Sequence, residues 1–388
     1  MDKITLFLQK IDFSQYFSDE ELADIVKSLE IVALYPGDVI ITEGEKGDAL
    51  YLIQEGRLQV YKAIAPEESQ VIAEVGAGKW IGELQVLLGG ERMASVRAIE
   101  ESQLIRFPKT EIIRLNAKYP ALNEYFVKIA LQNLKELKFT SLLYDFFGHI
   151  ERSCILELQR SAEWIQLHRG DRLFAQGESG DSVYFLLNGL LNAVIENPPG
   201  TICRMASIAS GEIIGEMSIL TDESRSASIY ALRDSLSVRY SYKQFKEILR
   251  KYPPLLLKIT QRLIERFKQR ELGIQSPKAL IRRIAVVPHD WKTPAKEFSE
   301  RLARALSVHG SVLHLNRQHL AEFLEFPESM EFSLESPQGW RFQLWLERQE
   351  EEYDFILLEA ELEDSYWTQY CLGQCDRILW LRSEERRV

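Results

Sequence analysis

The stretch Ile81-Gly-Glu-Leu-Gln-Val-Leu-Leu-Gly-Gly-Glu-Arg-Met-Ala-Ser-Val-Arg-Ala98 decides the reading of this chain, because it occurs twice. Its twin is Ile214-Gly-Glu-Met-Ser-Ile-Leu-Thr-Asp-Glu-Ser-Arg-Ser-Ala-Ser-Ile-Tyr-Ala231, with every matched position 133 residues further on. Gly82 pairs with Gly215, Glu83 with Glu216, Arg92 with Arg225, Ala94 with Ala227 and Ser95 with Ser228. The same offset carries Gly37-Asp38 onto Gly170-Asp171, Gly47-Asp48 onto Gly180-Asp181, and Tyr119-Pro120 onto Tyr252-Pro253. An ungapped offset sustained over so long a span is a duplicated domain.

The chemistry of the stretch is that of a small-anion pocket. A glycine lets the backbone approach a ligand closely, and the residues after it read as one turn of helix. Free N–H groups at the start of that turn favour a phosphate. A carboxylate just inside the glycine accepts hydrogen bonds and so suits a sugar hydroxyl. Nine residues later an arginine can fork onto phosphate oxygens.

This combination resembles the phosphate-binding cassette of the cyclic-nucleotide-binding domain. The resemblance implies that Glu83 and Glu216 meet the ribose 2′-hydroxyl and that Arg92 and Arg225 meet the cyclic phosphate. Carried over position by position, the implied ligand-binding residues are Gly82, Glu83, Leu84, Arg92, Met93, Ala94 and Ser95 in the first copy. In the second they are Gly215, Glu216, Met217, Arg225, Ser226, Ala227 and Ser228. The hydroxyl of Ser226, where the first copy has Met93, predicts a second site that tolerates cGMP better.

Around each cassette, short β-rich runs such as Ala49–Ile53 and Arg57–Tyr61 are punctuated by glycine turns, which indicates a barrel or jelly roll. Ser18-Asp-Glu-Glu21 is a capping box that opens a helix. After the first cassette a helical stretch is expected from about 109 to 143, broken at Pro120. The second copy is expected to begin with a helix over about 144–160 and to end in helices reaching about 272. Gly273 reads as the helix stop, 274–277 as a linker and 197–200 as a turn between strands. The domains expected are a first jelly roll over 1–143, a second over 144–273, and a third region over 279–388.

That third region alternates strands and helices, the pattern of a small parallel α/β, Rossmann-like domain. Thr293-Pro294 reads as an N-cap followed by Pro at the first helical position, and Gly310 as the end of that helix. Lys292-Thr293 sits where a phosphate loop would carry its Lys and Ser/Thr, but the glycines of such a loop are missing, so a degenerate structural domain is expected. His289, Asp290 and Lys292 read as a solvated loop.

The chain has 388 residues, 46% hydrophobic and 27% charged, with net charge −11. This describes an ordinary globular protein and argues against a nucleic-acid binder. No apolar run spans a bilayer and the N-terminus does not read as a signal peptide, so a cytoplasmic location is expected, with peripheral membrane contact left open. Cys154, Cys203, Cys371 and Cys375 lack disulfide or zinc spacing and read as buried thiols, and no metal or cofactor is expected.

Two cassette domains followed by an α/β domain containing Trp367-Thr-Gln, Cys371 and Asp376-Arg-Ile-Leu together resemble the regulatory region of the neuropathy-target-esterase family of patatin-like phospholipases. In that family a patatin catalytic domain with a Gly-x-Ser-x-Gly nucleophile follows. The motif is absent from this chain, whose nearest approach is Gly177-Glu-Ser-Gly180 followed by Asp181. The resemblance implies a non-enzymatic module that binds cAMP or cGMP and controls a patatin-like catalytic domain, in cis or in trans, in lipid metabolism and signalling. The competing reading is a tandem scaffold that binds no ligand and mediates protein or membrane-surface association. A transcription regulator would need a basic helix-turn-helix, and a kinase regulatory subunit an inhibitory segment before the first cassette; neither pattern is present.

Overall fold

The computed structural model describes residues 3–65, 68–88, 91–148, 150–197, 201–271, 282–291, 293–324 and 337–382. The turn at 198–200, Gly273, the linker 274–277 and Lys292 lie outside these residues. The chain forms two compact units, one of 1–138 with 335–341 and one of 139–334 with 342–388.

The first unit begins with helices α1 (Lys3–Leu8) and α2 (Asp19–Val26), separated by a 3-10 turn over Asp12–Tyr16. The capping box is present as read: Ser18 accepts from the Glu21 N–H, and the Glu21 carboxylate accepts from the Ser18 N–H. Strands β1 (Glu30–Leu34), β2 (Val39–Ile41), β3 (Ala49–Glu55), β4 (Arg57–Ala65), β5 (Glu68–Gly76) and β6 (Trp80–Ile81) follow. The short helix α3 (Glu83–Leu88) precedes β7 (Ser95–Ala98) and β8 (Ser102–Pro108). They form two antiparallel sheets, ordered β1-β8-β3-β6 and β2-β7-β4-β5. Helix α4 (Lys109–Lys118) ends at Tyr119, and α5 (Pro120–Phe147) starts at the expected break.

Strand β3 is buried on both faces. Ala49, Tyr51 and Ile53 point into the barrel, while Leu50 and Leu52 pack with Trp80, Phe107, Ile112, Leu122 and Phe126 under the helices. Its continuous apolar run follows from that double burial, since period-two alternation appears only when one face meets water. Phe13, Phe107 and Phe126 surround Trp80 with ring centroids 5.0–5.6 Å away. Each such side chain stabilises the fold by roughly 1.5–3 kcal/mol.

The second unit repeats the plan at the same offset. After α6 (Arg152–Arg160) come β9 (Glu163–Leu167), β10 (Arg172–Phe174), β11 (Ser182–Asn188), β12 (Leu190–Asn197), β13 (Thr201–Ala209) and β14 (Ile213–Ile214). Helix α7 (Glu216–Thr221), β15 (Ser228–Ala231) and β16 (Ser235–Ser241) complete the barrel. Its sheets are ordered β9-β16-β11-β14 and β10-β15-β12-β13, the first barrel's order eight strands later. Helices α8 (Tyr242–Lys251) and α9 (Pro253–Glu271) follow. One expectation needs revision: the helix foreseen over 144–160 is the end of α5 and a separate α6, because Gly148 takes a left-handed φ of 71° between them.

The α/β domain comprises β17 (Arg283–Pro288), α10 (Ala295–Leu306), β18 (Val312–Leu315), α11 (Arg317–Leu324), α12 (Pro337–Glu352), β19 (Phe355–Glu359), α13 (Tyr366–Gln374) and β20 (Arg377–Leu381). All its strand pairs are parallel, in the order β18-β19-β17-β20. Pro294, not Thr293, is the N-cap of α10; Thr293 Oγ1 turns back to Asp290 at 2.9 Å. The helix ends at Leu306, four residues before Gly310.

Candidate functional site

In both cassettes the glycine is a geometric requirement. Gly82 and Gly215 have φ of 76° and 80°, and Gly215 caps α7. A Cβ on Gly82 would lie 2.6 Å from Arg92 Nη1, and one on Gly215 would lie 2.4 Å from Arg225 Nη1. The glycine thus makes the turn and clears space for the guanidinium beside it.

The two arginines are buried and held by equivalent backbone carbonyls. Arg92 Nη1 donates to Gly82 O at 2.7 Å and Nη2 to Ala49 O at 2.6 Å. Arg225 Nη1 donates to Gly215 O at 3.1 Å and Nη2 to Ser182 O at 2.7 Å. Ala49 and Ser182 are themselves 133 residues apart. Burial pushes both guanidinium groups below their ordinary pKa, against the pull of nearby acids and tyrosines. Carbonyls orient a guanidinium without cancelling its charge. Arg225 also has Asp181 at 3.7 Å and lies over the Phe174 ring, 4.2 Å from its centroid; the first copy has Ile41 in place of Phe174. Arg225 Nε is buried and makes no hydrogen bond.

Glu83 and Glu216 open α3 and α7, and both are buried. Asn133 Nδ2, from α5, donates to Glu83 Oε1 at 2.8 Å. Arg266 Nη1, from α9, donates to Glu216 Oε1 at 3.1 Å. Desolvation raises Glu83 to about 7, only partly offset by Asn133, its own backbone and Arg92.

The remaining predicted residues divide by role. Ser95 Oγ accepts from the Glu43 N–H and Ser228 Oγ from the Gln176 N–H, each at 2.9 Å, which pins β7 and β15 to the loops after β2 and β10. Ala94 and Ala227 are buried beside the arginines, and Leu84 is buried next to Glu83. Met93 and Met217 are half-buried, whereas Ser226 is exposed. Sequence reasoning missed Asn133 and Arg266. The signal was available, since Asn133 plus the repeat offset of 133 is Arg266.

The α/β domain offers an open cavity of roughly 620 Å³ where β17 and β19 end, lined among others by Thr293, Lys296, Glu297, Glu300, Glu359 and Glu361. Each of its four carboxylates already has a basic neighbour: Arg301 for Glu297, Arg304 for Glu300, His314 for Glu359 and Arg317 for Glu361. Among the described residues no cluster of His, Cys, Asp or Glu is arranged to hold a metal ion, and no helix is long and apolar enough to cross a membrane.

Residues 31–119 and 164–252 each match the family model of the cyclic nucleotide-binding domain. Residues 280–387 match that of the neuropathy target esterase family P-loop like domain. Patatin-like phospholipase domain-containing protein 7 of Rattus norvegicus is 23% identical over 88% of this chain, and neuropathy target esterase sws of Drosophila erecta is 26% identical over 93%. The chain spans a quarter of the length of these relatives, 25% in each case. Among solved structures, the regulatory domain of Toxoplasma gondii PKA with cAMP aligns over 68% of this chain and 98% of its own, at 20% identity and a TM-score of 0.30. The sensor domain of the transcriptional regulator DNR from Pseudomonas aeruginosa aligns over 37% and 96%, at 23% identity and a TM-score of 0.31.

Proposed function

Because this chain carries the tandem cyclic nucleotide-binding domains and the P-loop-like domain of the neuropathy target esterase family, we propose that it is a cyclic-nucleotide sensor with two working sites. The ligand is cAMP or cGMP. Arg92 and Arg225 take the cyclic phosphate, Glu83 and Glu216 the ribose hydroxyl, and Gly82, Ala94, Ser95, Gly215, Ala227 and Ser228 shape the pocket. Leu84, Met93, Met217 and Ser226 border it. In this reading the module controls a patatin-like catalytic domain, in cis or in trans, acts in the cytoplasm and performs no hydrolysis itself.

One observation carries the reading. In both copies the cassette arginine is buried and oriented by two backbone carbonyls at equivalent positions. A buried cation costs several kcal/mol unless something compensates its charge. The carboxylates near the two arginines, such as the exposed Asp181 at 3.7 Å from Arg225, offset that charge in part, and an anionic ligand at each site would complete it. Control of a catalytic domain requires that ligand bind two arrangements with different affinity.

Calorimetric titration with cAMP and with cGMP tests this. The parent should show two sites, Arg92→Ala and Arg225→Ala one each, and the double variant none. Thermal unfolding should follow, with ligand at a hundred times its Kd adding about 2.7 kcal/mol. Absence of heat and of any thermal shift with either nucleotide in the parent overturns the reading and favours a ligand-free scaffold.

A further inference from the structure

Asn133 and Arg266 occupy the same place in the duplicated fold and touch the equivalent carboxylates, Glu83 and Glu216, yet one is neutral and the other cationic. This rests on the two-site reading above. We propose that these are the positioning residues that make the two nucleotide sites unequal: Arg266 holds Glu216, the sugar's acceptor, with a cation, while Asn133 offers Glu83 a neutral amide.

The surroundings differ accordingly. Arg266 reaches three partners at once: Glu216 Oε1 at 3.1 Å, Glu212 Oε2 at 3.1 Å and Ile213 O at 3.1 Å. Its charge is shared between two carboxylates on either side of β14 and anchored to the strand's own backbone. Arg225 also lies close enough for Glu216 to act on it. At Glu83 the cation acting, among the described residues, is Arg92, which is turned toward Gly82 O and Ala49 O; from α5 comes the Asn133 amide. Charge-assisted hydrogen bonds are roughly twice as strong as neutral ones. The second glutamate is therefore the better-held acceptor.

A ribose hydroxyl donates to a carboxylate, and a protonated carboxyl loses that acceptor capacity. Glu83, raised to about 7 by burial, is ionised in only part of the population at neutral pH, and the apparent affinity scales with that fraction. The first site should bind about tenfold more weakly at pH 6 than at pH 8. The second, whose glutamate accepts a charge-assisted bond from Arg266, should depend less steeply on pH over that range.

The test is a set of exchanges in the full chain, reading one site at a time. Arg225→Ala silences the second site and Arg92→Ala the first. Titrations with cAMP and cGMP run from pH 6 to pH 8, with circular dichroism as a check of folding. Arg266→Asn should weaken the second site about tenfold at pH 6 and give it the first site's pH dependence; Arg266→Lys should retain the shallower profile. Asn133→Arg, or the smaller change Asn133→Lys, should flatten the profile of the first site. Binding at both sites with identical pH profiles, unmoved by the exchanges or moved the other way, overturns this proposal and leaves the two-site reading intact. Failure of the parent to bind at any pH overturns the two-site reading itself.

Discussion

Arg233 grips Asp376 at two points, Nε to Oδ1 at 2.7 Å and Nη2 to Oδ2 at 2.8 Å, and joins the second barrel to the α/β domain. Its third nitrogen, Nη1, reaches Glu350 at 2.7 Å, which also takes Arg283 Nε at 2.8 Å. The Asp376 carboxylate accepts the backbone N–H groups of Arg282 and Arg283 as well. Beside it the Asp234 N–H donates to Gly373 O at 2.8 Å, and Arg169 Nη1 donates to Cys375 O at 2.5 Å. The turn that carries Arg233 begins one residue after β15, the strand that ends the second cassette. At the equivalent positions of the first copy stand Pro36, Glu100 and Glu101 in place of Arg169, Arg233 and Asp234. The second barrel thus differs from the first at the residues by which it meets the α/β domain.

Removing Arg233 should leave the Asp376 carboxylate, 4% exposed, and the half-buried Glu350 with one cation fewer. Arg233→Ala is expected to cost the second unit about 3–5 kcal/mol in urea unfolding. Burial alone would raise both carboxyls, but the arginines and backbone donors outweigh it and hold them below their ordinary values. Their contribution is therefore present above pH 4 or so and lost as pH falls further. A loss under 1 kcal/mol for Arg233→Ala would show that apolar contacts, not this network, dock the domain.

Glu83 acts in the opposite sense. Its pKa rises on folding to about 7, so the folded state holds a proton that the unfolded state has released. The first unit should be most stable below the unfolded value near 4.3 and should lose about 3 kcal/mol as pH climbs to 7. Glu83→Gln should remove that slope and be more stable than the parent at pH 8. Chemical unfolding of both proteins at pH 5 and pH 8 checks it; parallel slopes would refute it.

Gly82→Ala and Gly215→Ala should each abolish nucleotide binding at their own site while costing only about 1–2 kcal/mol of stability from the left-handed backbone. The larger effect is local, since the new methyl must displace the guanidinium it meets at 2.6 or 2.4 Å. Calorimetry at each site gives the answer, and full affinity in either variant would contradict the geometry.

The thiols of Cys154, Cys371 and Cys375 are buried, and burial raises all three, Cys154 to about 12. In a Cys203→Ser background the folded chain should resist a thiol reagent at pH 8 and react with three equivalents once denatured. Rapid labelling in the folded state would show that one of these sites opens.

The sequence by itself determined the duplication, the cassette, the two jelly rolls and the α/β domain. These rest on local chemistry: glycines where φ must be positive, apolar runs of strand length, a capping box at Ser18, and a fixed offset that aligns every element of one barrel with the other. The bend at Gly148 and the cap at Pro294 were misjudged because helix ends depend on which backbone groups find partners, which propensity does not specify. The tertiary structure alone decided what each cassette glutamate faces and that Arg233 of the second barrel meets Asp376 of the α/β domain. Glu83 and Asn133 are 50 residues apart, and Arg233 and Asp376 are 143 apart. Such pairs are set by how helices and sheets close on one another, and the offset that aligns Asn133 with Arg266 gains meaning once both helices are seen lying against their cassettes.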